Sequence, residues 1–539
     1  MKRVFLTGKF LAFALIMIAV FCFGQSESII RATEDWPTYI DPAVGSDFSD
    51  CIAIVNLYDS LVFPNADGSV GPHLATHWDV TPDGLTWTFY LRQGVKFHSG
   101  NELTAEDVVF SVERLLTMGE GFAYMFEPFI DEVVALDPYT VQFKMKKPYG
   151  PFLSTLVRLY ILEKDLVLQH LDSGPYGEFG DYGRKWLLEH DAGSGPYMVE
   201  EVKMEEYVLT KKFDDWWGGW EPNAPEYFKE MATADPVTIR TLVAKKELEI
   251  TDELQPMESY EAMAKMPGVE VVRFVPGGMN LNLMLHTRKP PTDDVHFRRA
   301  LAYAVDYKTI ANIIFPGSLV ARGPVPQTLP GHDSSIQPWE FNLDKAREEL
   351  KKSKYYGQLD EYPLTLSWCA EVPEEEKIAL MLQANFARIG VKLEITKKPF
   401  GSMIADAQNM ETTPNCSLVF VAAHYMEAGG MLTTRYHSQS TGTWEQCEWL
   451  LNPEIDQMIE DALSTIDTEE RFNKYHAIQQ KLVELCPTIW LIDRAETRAY
   501  QASYVSWFVA DLVHQGKKIA LPLGYGLYAH DMKVFPEKK

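Results

Sequence analysis

The chain has 539 residues and a formal net charge of −26, with 76 acidic residues against 50 lysines and arginines. A protein this acidic is a poor candidate for binding nucleic acid or anionic lipid surfaces. Its length exceeds what one hydrophobic core supports, and its hydrophobic fraction of 46% is that of ordinary globular proteins, so two or three domains are expected.

The N-terminus has the pattern of an export signal. Basic residues within the first nine positions precede the apolar run 10–23, which is too short to span a membrane. Small residues at −3 and −1 predict cleavage after Gly24. The alternative is a lipoprotein signal in which Cys22 carries the lipid. Both interpretations place the mature chain in the periplasm or outside the cell.

The segment 74–116 predicts strand, turn, strand, turn and capped helix. Pro82-Asp83-Gly84 has turn chemistry, because proline presets φ and glycine accepts a positive φ. The run 85–91 is rich in β-branched and aromatic residues and is typical of a strand. Residues 104–107 (TAED) form a capping box, in which a hydroxyl and a carboxylate satisfy free backbone N–H groups. A helix is therefore predicted to start there.

The second half of the chain predicts alternating strands and helices. A single helix is expected over 294–315. A strand over 364–369, a helix over 374–389 capped by Gly390, and a strand over 391–395 predict a β–α–β unit and a largely parallel sheet.

Two further helices have clear start signals. Asn452 stands before Pro453, the arrangement of an N-cap followed by proline at the first helical position. Asp467 and Glu470 form a second capping box. Of the six cysteines, none has zinc-ligand spacing, and Cys416 with Cys447 is the candidate disulfide in an exported protein.

Several short motifs follow one another along the chain: 33–38 (TEDWPT), 58–62 (YDSLV), 193–197 (GSGPY), 215–219 (DWWGG), 289–295 (KPPTDDV) and 298–306 (RRALAYAVD). Together with segment 74–116 and the helix pair at 453–485, they resemble the family 5 extracellular solute-binding proteins of ABC importers, the oligopeptide, dipeptide and nickel group. The resemblance covers nearly the whole mature chain.

The resemblance implies an α/β, two-lobed venus-flytrap fold of the type II periplasmic-binding-protein class, with an extra inserted subdomain. The chain would cross the hinge near 277–278 and near 502–503. The implied boundaries are a signal peptide at 1–24, domain I from 25–73, 193–278 and 504–539, the inserted subdomain at 74–192, and domain II at 279–503.

The function implied by the resemblance is binding without turnover. A peptide would be captured in the interdomain cleft by a monomer and delivered to a membrane ABC permease, with no cofactor. The same fold binding an oligosaccharide or a nickel chelate is the alternative. Enzyme motifs such as GxSxG, HExxH and the P-loop are absent. A secreted glycoside hydrolase using two carboxylates is the remote alternative.

Candidate ligand-binding residues are implied by position. In peptide-binding relatives, an Asp-Pro pair after a strand supplies the carboxylate that pairs with the ligand's α-ammonium, and Glu427 with Ala428 occupies the matching positions. Glu427 would then be the anionic partner; the alternative is a solvated loop acid. The other candidates are Trp36 and Trp368 for stacking or core packing, Asn280 and Asn282 for polar ligand groups or turns, and His424 and Tyr425 in the same loop as Glu427. No catalytic or metal-ligating residue is predicted.

Overall fold

The computed structural model describes residues 28–232 and 235–539. The predicted signal peptide lies outside this part of the chain. Within it, no helix combines the length and apolar character needed to cross a bilayer.

The strands are β1 Ile29–Glu34, β2 Val62–Pro64, β3 Val70–Pro72, β4 Ala75–Val80, β5 Thr86–Leu91, β6 Ile130–Asp137, β7 Thr140–Met145, β8 Tyr197–Lys203, β9 Tyr207–Lys212, β10 Tyr227–Ala232, β11 Glu270–Phe274, β12 Met279–Leu285, β13 Leu319–Val320, β14 Leu364–Cys369, β15 Leu393–Lys398, β16 Cys416–Ala422, β17 Thr488–Asp493, β18 Glu496–Tyr500, β19 Val505–Ser506 and β20 Lys533–Val534. The helices are α1 Phe48–Leu57, α2 Ala105–Met118, α3 Phe152–Thr155, α4 Lys164–Gln169, α5 Pro236–Ala244, α6 Met257–Met263, α7 Val295–Tyr303, α8 Tyr307–Thr309, α9 Leu343–Lys352, α10 Glu374–Ala387, α11 Phe400–Ala407, α12 Ala428–Tyr436, α13 Pro453–Leu463, α14 Thr468–Leu485 and α15 Phe508–His514.

The first lobe is built from distant parts of the chain. Its main sheet has the order β1-β10-β9-β8, with β1 parallel to β10. Strands β11 and β18 pair antiparallel, and Ile250 bridges them to this sheet through Ala32 and Tyr500. The C-terminal tail contributes Trp507 and Met532 to the same core. N-terminal, middle and C-terminal segments therefore share one core.

The inserted subdomain is a four-stranded antiparallel sheet covered by α2. The sheet order is β4-β5-β7-β6, and alternate residues of β5, Trp87, Phe89 and Leu91, are buried. The predicted capping box is confirmed: the Thr104 N–H donates to Asp107 Oδ2 at 2.8 Å at the start of α2. The strand, turn, strand and helix expected over 74–116 are therefore present.

The second lobe has a mixed six-stranded sheet with the order β13-β17-β12-β16-β14-β15. The predicted β–α–β unit is confirmed, since β14 and β15 are parallel and α10 connects them. The expectation of a largely parallel sheet is wrong, because the pairs β12–β16, β12–β17 and β13–β17 are antiparallel. Only β14–β15 and β14–β16 run parallel.

The single helix expected over 294–315 is also wrong. Helix α7 ends at Tyr303, and Asp306 starts α8 by accepting a hydrogen bond from the Thr309 N–H. A π-helical turn, Ile310–Ile314, follows. The aspartate competes for backbone N–H groups and restarts the helix instead of continuing it.

Two connections join the lobes. The first runs from β11 to β12 through residues 275–278. There, a Cβ at Gly277 would lie 2.6 Å from Ala520 Cα, so only glycine fits. The second runs from β17 to β18 through Arg494 and Ala495. Strand β18 pairs with β11 of the first lobe. The chain has therefore already returned to the first lobe before the expected crossing near 502–503.

The expected Cys416–Cys447 disulfide is not formed. Both residues are buried free thiols, Cys416 in β16 and Cys447 after a short 3₁₀ turn. Burial raises the pKa of both thiols, that of Cys447 to about 12. The two thiols act as small apolar side chains.

Candidate ligand-binding site

Strand β16 lies in the middle of the second-lobe sheet and reaches the first lobe at its C-terminal end. It pairs with β12 over its whole length, from Cys416 to Ala422. Its other edge pairs with β14 only at Cys416 and Ser417. From Leu418 onward, no strand in the described part of the chain pairs with that edge. An unpaired strand edge is a template for an extended peptide.

One cavity between the lobes lies at the far end of β16. We name it the tyrosine pocket: it has a volume of about 210 Å³ and separates the inserted subdomain from the second lobe. Residues from both sides line it, including Tyr124, Lys147, Tyr149, His424, Tyr425 and His437.

The second cavity lies beside Phe420 of β16, where β14 has separated from that strand. We name it the acidic groove: it measures about 270 Å³ and lies between the first-lobe segment 253–260 and the second lobe. Its charged lining residues are Glu253, Glu258, Glu371, Glu374, Lys377 and Arg494. The acidic groove therefore lies beside the free edge of β16, and the tyrosine pocket is lined by the residues that follow the strand.

His424 lies at the mouth of the tyrosine pocket. Its Nε2 is 3.3 Å from Glu445 Oε1, and its ring meets the Tyr124 ring edge-on at 5.6 Å. Its backbone carbonyl accepts a hydrogen bond from Arg158 Nε at 3.0 Å. Because Arg158 belongs to the subdomain, this bond fixes the His424 loop against it.

Tyr425 of the second lobe and Tyr149 of the subdomain contact each other in the pocket. Their hydroxyls are 3.4 Å apart, and the Tyr149 ring stacks on Phe129 at 3.7 Å. Burial raises the pKa of both tyrosines far above its ordinary value. Both phenols are therefore neutral hydrogen-bonding groups at physiological pH.

His437 also lines the pocket and makes a second histidine–carboxylate contact there. Its Nε2 is 3.4 Å from Glu460 Oε1, and its Nδ1 is 4.0 Å from Asp456. With Lys147 on the subdomain side, the pocket offers both donors and acceptors. This mixture suits a zwitterionic ligand.

Glu427, the expected anionic partner of the ligand, lies buried inside the second lobe. It is 2% exposed, and its carboxylate accepts from Arg471 Nε at 2.8 Å and Nη2 at 3.0 Å. The Tyr475 hydroxyl donates to the same carboxylate at 2.7 Å. Its hydrogen-bonding capacity is therefore used inside the second lobe, and it lines neither cavity.

The remaining expected residues also lie away from the two cavities. Trp368 is 3% exposed in the second-lobe core, and Trp36 is half-buried in the first lobe. Asn280 and Asn282 are fully buried in β12, where Asn282 Nδ2 donates to Asn280 Oδ1 at 2.7 Å. Of the expected residues, the structure brings together only His424 and Tyr425.

Other pocket residues were missed because they are distant in sequence. Tyr124, Lys147, His437 and Glu460 carry no motif that marks a site. The one sequence signal was Gly150, next to Tyr149. A Cβ on Gly150 would lie 2.1 Å from Thr465 O, and the Gly150 N–H donates to Leu463 O at 2.8 Å. Glycine there permits the close approach of subdomain and second lobe.

Two lobes joined by two connections, with cavities between them, define a binding protein that encloses its ligand. The family described as "Bacterial extracellular solute-binding proteins, family 5 Middle" matches residues 69–442. The chain therefore belongs to this family, and it is an extracytoplasmic solute-binding component of an ABC importer.

Related proteins match over most of their length. The probable D,D-dipeptide-binding periplasmic protein DdpA of Escherichia coli is 27% identical, over 85% of this chain and 87% of the relative. The glutathione-binding protein GsiB of Salmonella typhimurium is 27% identical, over 94% and 97%.

Solved structures agree on the fold. The substrate-binding protein CtaP of Listeria monocytogenes has a TM-score of 0.82 at 20% identity, over 95% of this chain and all of that one. DppA of Helicobacter pylori, in complex with the peptide STSA, has a TM-score of 0.75 at 22% identity, over 95% and 98%. At these identities the likeness concerns the fold alone.

Proposed function

We propose that this protein binds a short peptide along the free edge of β16 and delivers it to an ABC permease. The unpaired edge beyond Ser417 carries the proposal, because backbone donors and acceptors there match those of an extended peptide. The names of the relatives, which include dipeptide, D,D-dipeptide and glutathione binders, support the same ligand class.

The mechanism is a shift of population between open and closed lobes. The ligand contacts both lobes only when they close, so its differential affinity stabilises the closed form. The tyrosine pocket and the acidic groove would receive the two ends of the ligand, or side chains next to them. His424 and Tyr425 are the proposed contacts in the tyrosine pocket.

Native mass spectrometry of the freshly purified protein tests this proposal, because a retained peptide would appear as added mass. A melting panel of short peptides, oligosaccharides and nickel–histidine follows. A ligand at about 100 times its Kd should add about 2.7 kcal/mol to the free energy of unfolding. Stabilisation by a sugar or a nickel chelate, with no peptide response, would refute the peptide assignment.

We also propose that the mature protein is a monomer released after Gly24. Its intact mass and its partition between membrane and soluble fractions test the second point. A diacylglyceryl adduct on a chain beginning at Cys22 would show lipid anchoring instead.

A further inference from the structure

The tyrosine pocket has aromatic side chains on both of its walls. Tyr124, Phe129 and Tyr149 line it from the inserted subdomain, and Tyr425 lines it from the second lobe. Leu463, at the end of α13, adds an aliphatic side chain to the second-lobe wall. Tyr149 and Tyr425 are buried and form the inner side of the pocket. A group that enters between the two walls therefore meets rings from both.

The mouth of the pocket is open to solvent. Tyr124 is 46% exposed, and Lys147 and Glu460 beside it are exposed as well. The Tyr124 ring meets the His424 ring at 81°, and no ring in the described part of the chain stacks parallel to it. A ligand can therefore reach Tyr124 from outside, and an aromatic group can pack against its ring.

Gly430 keeps space free beside the Tyr425 ring. Both residues line the pocket. A Cβ at position 430 would lie between 3.2 and 3.5 Å from three carbon atoms of that ring. Glycine in the first turn of α12 therefore leaves this side of Tyr425 uncovered.

The pocket is large enough for an aromatic ring. Its volume is about 210 Å³, whereas an apolar cavity of about 150 Å³ is sufficient to bind benzene. Packing between rings favours centre-to-centre distances of about 4.5–7 Å and contributes beyond the burial of apolar area. The walls therefore favour an aromatic side chain over an aliphatic one of similar size.

The charges at the mouth favour neither a cation nor an anion. Lys147 supplies the positive charge, and its Nζ lies 5.0 Å from the centre of the Phe129 ring. Glu460 supplies the negative charge, with Oε1 3.4 Å from His437 Nε2. His437 Nδ1 accepts from the Gln439 N–H at 3.2 Å, so the neutral ring carries its proton on Nε2 and donates it to Glu460. The apolar walls therefore distinguish between side chains more strongly than the charges do.

We propose that the tyrosine pocket binds an aromatic side chain of the ligand, and that this protein selects peptides that carry phenylalanine or tyrosine. The inference rests on the proposed function, because it takes the peptide along β16 and into the pocket lined by the residues that follow that strand. A ring between Tyr124 and Tyr425 contacts the subdomain and the second lobe together only in the closed form. Its binding energy therefore stabilises closure.

Titration calorimetry with matched peptides of two to four residues tests the inference. Each set differs at one position, which is phenylalanine, cyclohexylalanine or alanine, and that position is moved along the peptide. The best phenylalanine peptide should bind at least about tenfold more tightly than its alanine analogue, a difference of about 1.4 kcal/mol. It should also bind about threefold more tightly than the cyclohexylalanine analogue.

The outcomes separate this inference from the proposed function. Equal affinities for phenylalanine and alanine at every position would overturn the inference and leave the proposed function standing. Equal affinities for phenylalanine and cyclohexylalanine would overturn the selection of an aromatic ring. Binding of no peptide at all would overturn both the inference and the proposed function.

A variant of Tyr124 locates the selectivity in the pocket. Tyr124→Ala should lower the ratio of phenylalanine to alanine affinity about threefold, because one ring of the wall is lost. Tyr356→Ala is the matched control, since Tyr356 is 54% exposed and does not line the pocket. A loss of structure alone would weaken both peptides and leave the ratio unchanged.

A second variant fills the space beside Tyr425. Gly430→Ala should also lower the ratio about threefold, because the added methyl group occupies room that the ligand ring needs. Gly401→Ala is the matched control: Gly401 lies in the first turn of α11, and no atom lies within 4 Å of its added Cβ. Ratios that stay at the wild-type value in both Tyr124→Ala and Gly430→Ala would overturn the assignment to this pocket.

Discussion

Glu427 and Arg471 form a buried, two-pronged ion pair inside the second lobe. The two carboxylate oxygens lie 2.8 and 3.0 Å from Nε and Nη2 of the guanidinium. The pair ties the loop that follows β16 to helix α14. His424 and Tyr425 belong to this loop, so the ion pair positions the second-lobe wall of the tyrosine pocket.

Replacing Glu427 by glutamine should destabilise the protein. The substitution leaves the Arg471 guanidinium buried without a counter-charge, which costs about 3–5 kcal/mol. Urea unfolding measures the change. Glu469→Gln, on the exposed first turn of α14, should alter stability by less than about 0.5 kcal/mol. An unchanged midpoint for Glu427→Gln, combined with lost ligand binding, would restore Glu427 as the ligand's anionic partner.

The parts of the fold that were predictable from the sequence are those decided locally. Asn452 and Asp467 start α13 and α14 as predicted, because an N-cap acts on N–H groups within three residues. The capping box of Thr104 and Asp107 is equally local. These motifs require no knowledge of the rest of the chain.

The site depends on contacts that sequence spacing does not reveal. Arg471 is separated from Glu427 by 44 residues, and no pattern in the sequence links them. Asn280 and Asn282 follow the hinge glycines as expected, yet β12 lies between β16 and β17, which buries both. Their burial is decided by strand order, which the sequence does not reveal.

Asp493 should make stability depend on pH. Burial raises the pKa of its carboxyl group from its ordinary value to about 6. Between about pH 4 and pH 6 the folded protein holds a proton that the unfolded chain has released. Stability contributed by the neutral acid is therefore lost as pH rises through this window, by about 3 kcal/mol for a shift of about two units.

Asp493→Asn should remove that pH dependence and increase stability at neutral pH. In the wild type, the Gln327 N–H and Nε2 donate to Asp493 Oδ2 at 3.0 and 2.9 Å. An asparagine oxygen can accept both bonds, and asparagine has no charge to bury. Urea unfolding at pH 4, 5, 6 and 7 measures the difference. Asp360→Asn, at an exposed position, is the control. Parallel pH profiles for wild type and Asp493→Asn would contradict the assignment.

Arg158 should favour closure of the lobes. This buried side chain donates from Nε to His424 O at 3.0 Å and from Nη1 to Leu523 O at 2.9 Å, so it links the subdomain to both lobes. Lysine cannot make both bonds with the same geometry. Arg158→Lys should weaken ligand binding about tenfold, the equivalent of about 1.4 kcal/mol.

Calorimetry with the co-purified ligand measures the Arg158 effect. Arg240→Lys is the control, because Arg240 bonds to Ser259 within the first lobe. Equal affinities for wild type and Arg158→Lys would show that this link does not contribute to closure.

Gly277 should set how closely the lobes approach. A Cβ there would lie 2.6 Å from Ala520 Cα on the first lobe and 2.9 Å from Met426 Sδ on the second. Gly277→Ala should therefore overpack the closed form at a cost of about 1–3 kcal/mol. The ligand has to supply this free energy on closure, so its Kd should rise about tenfold.

X-ray scattering should show a larger radius of gyration for Gly277→Ala than for wild type when ligand is saturating. Gly526→Ala is the matched control, because no atom lies within 4 Å of its added Cβ. Unchanged circular dichroism would establish that both variants are folded. A Gly277→Ala protein with wild-type dimensions and affinity would show that the hinge adjusts to the extra carbon. The closed form would then depend on contacts farther along the cleft, such as that of Arg158 with His424.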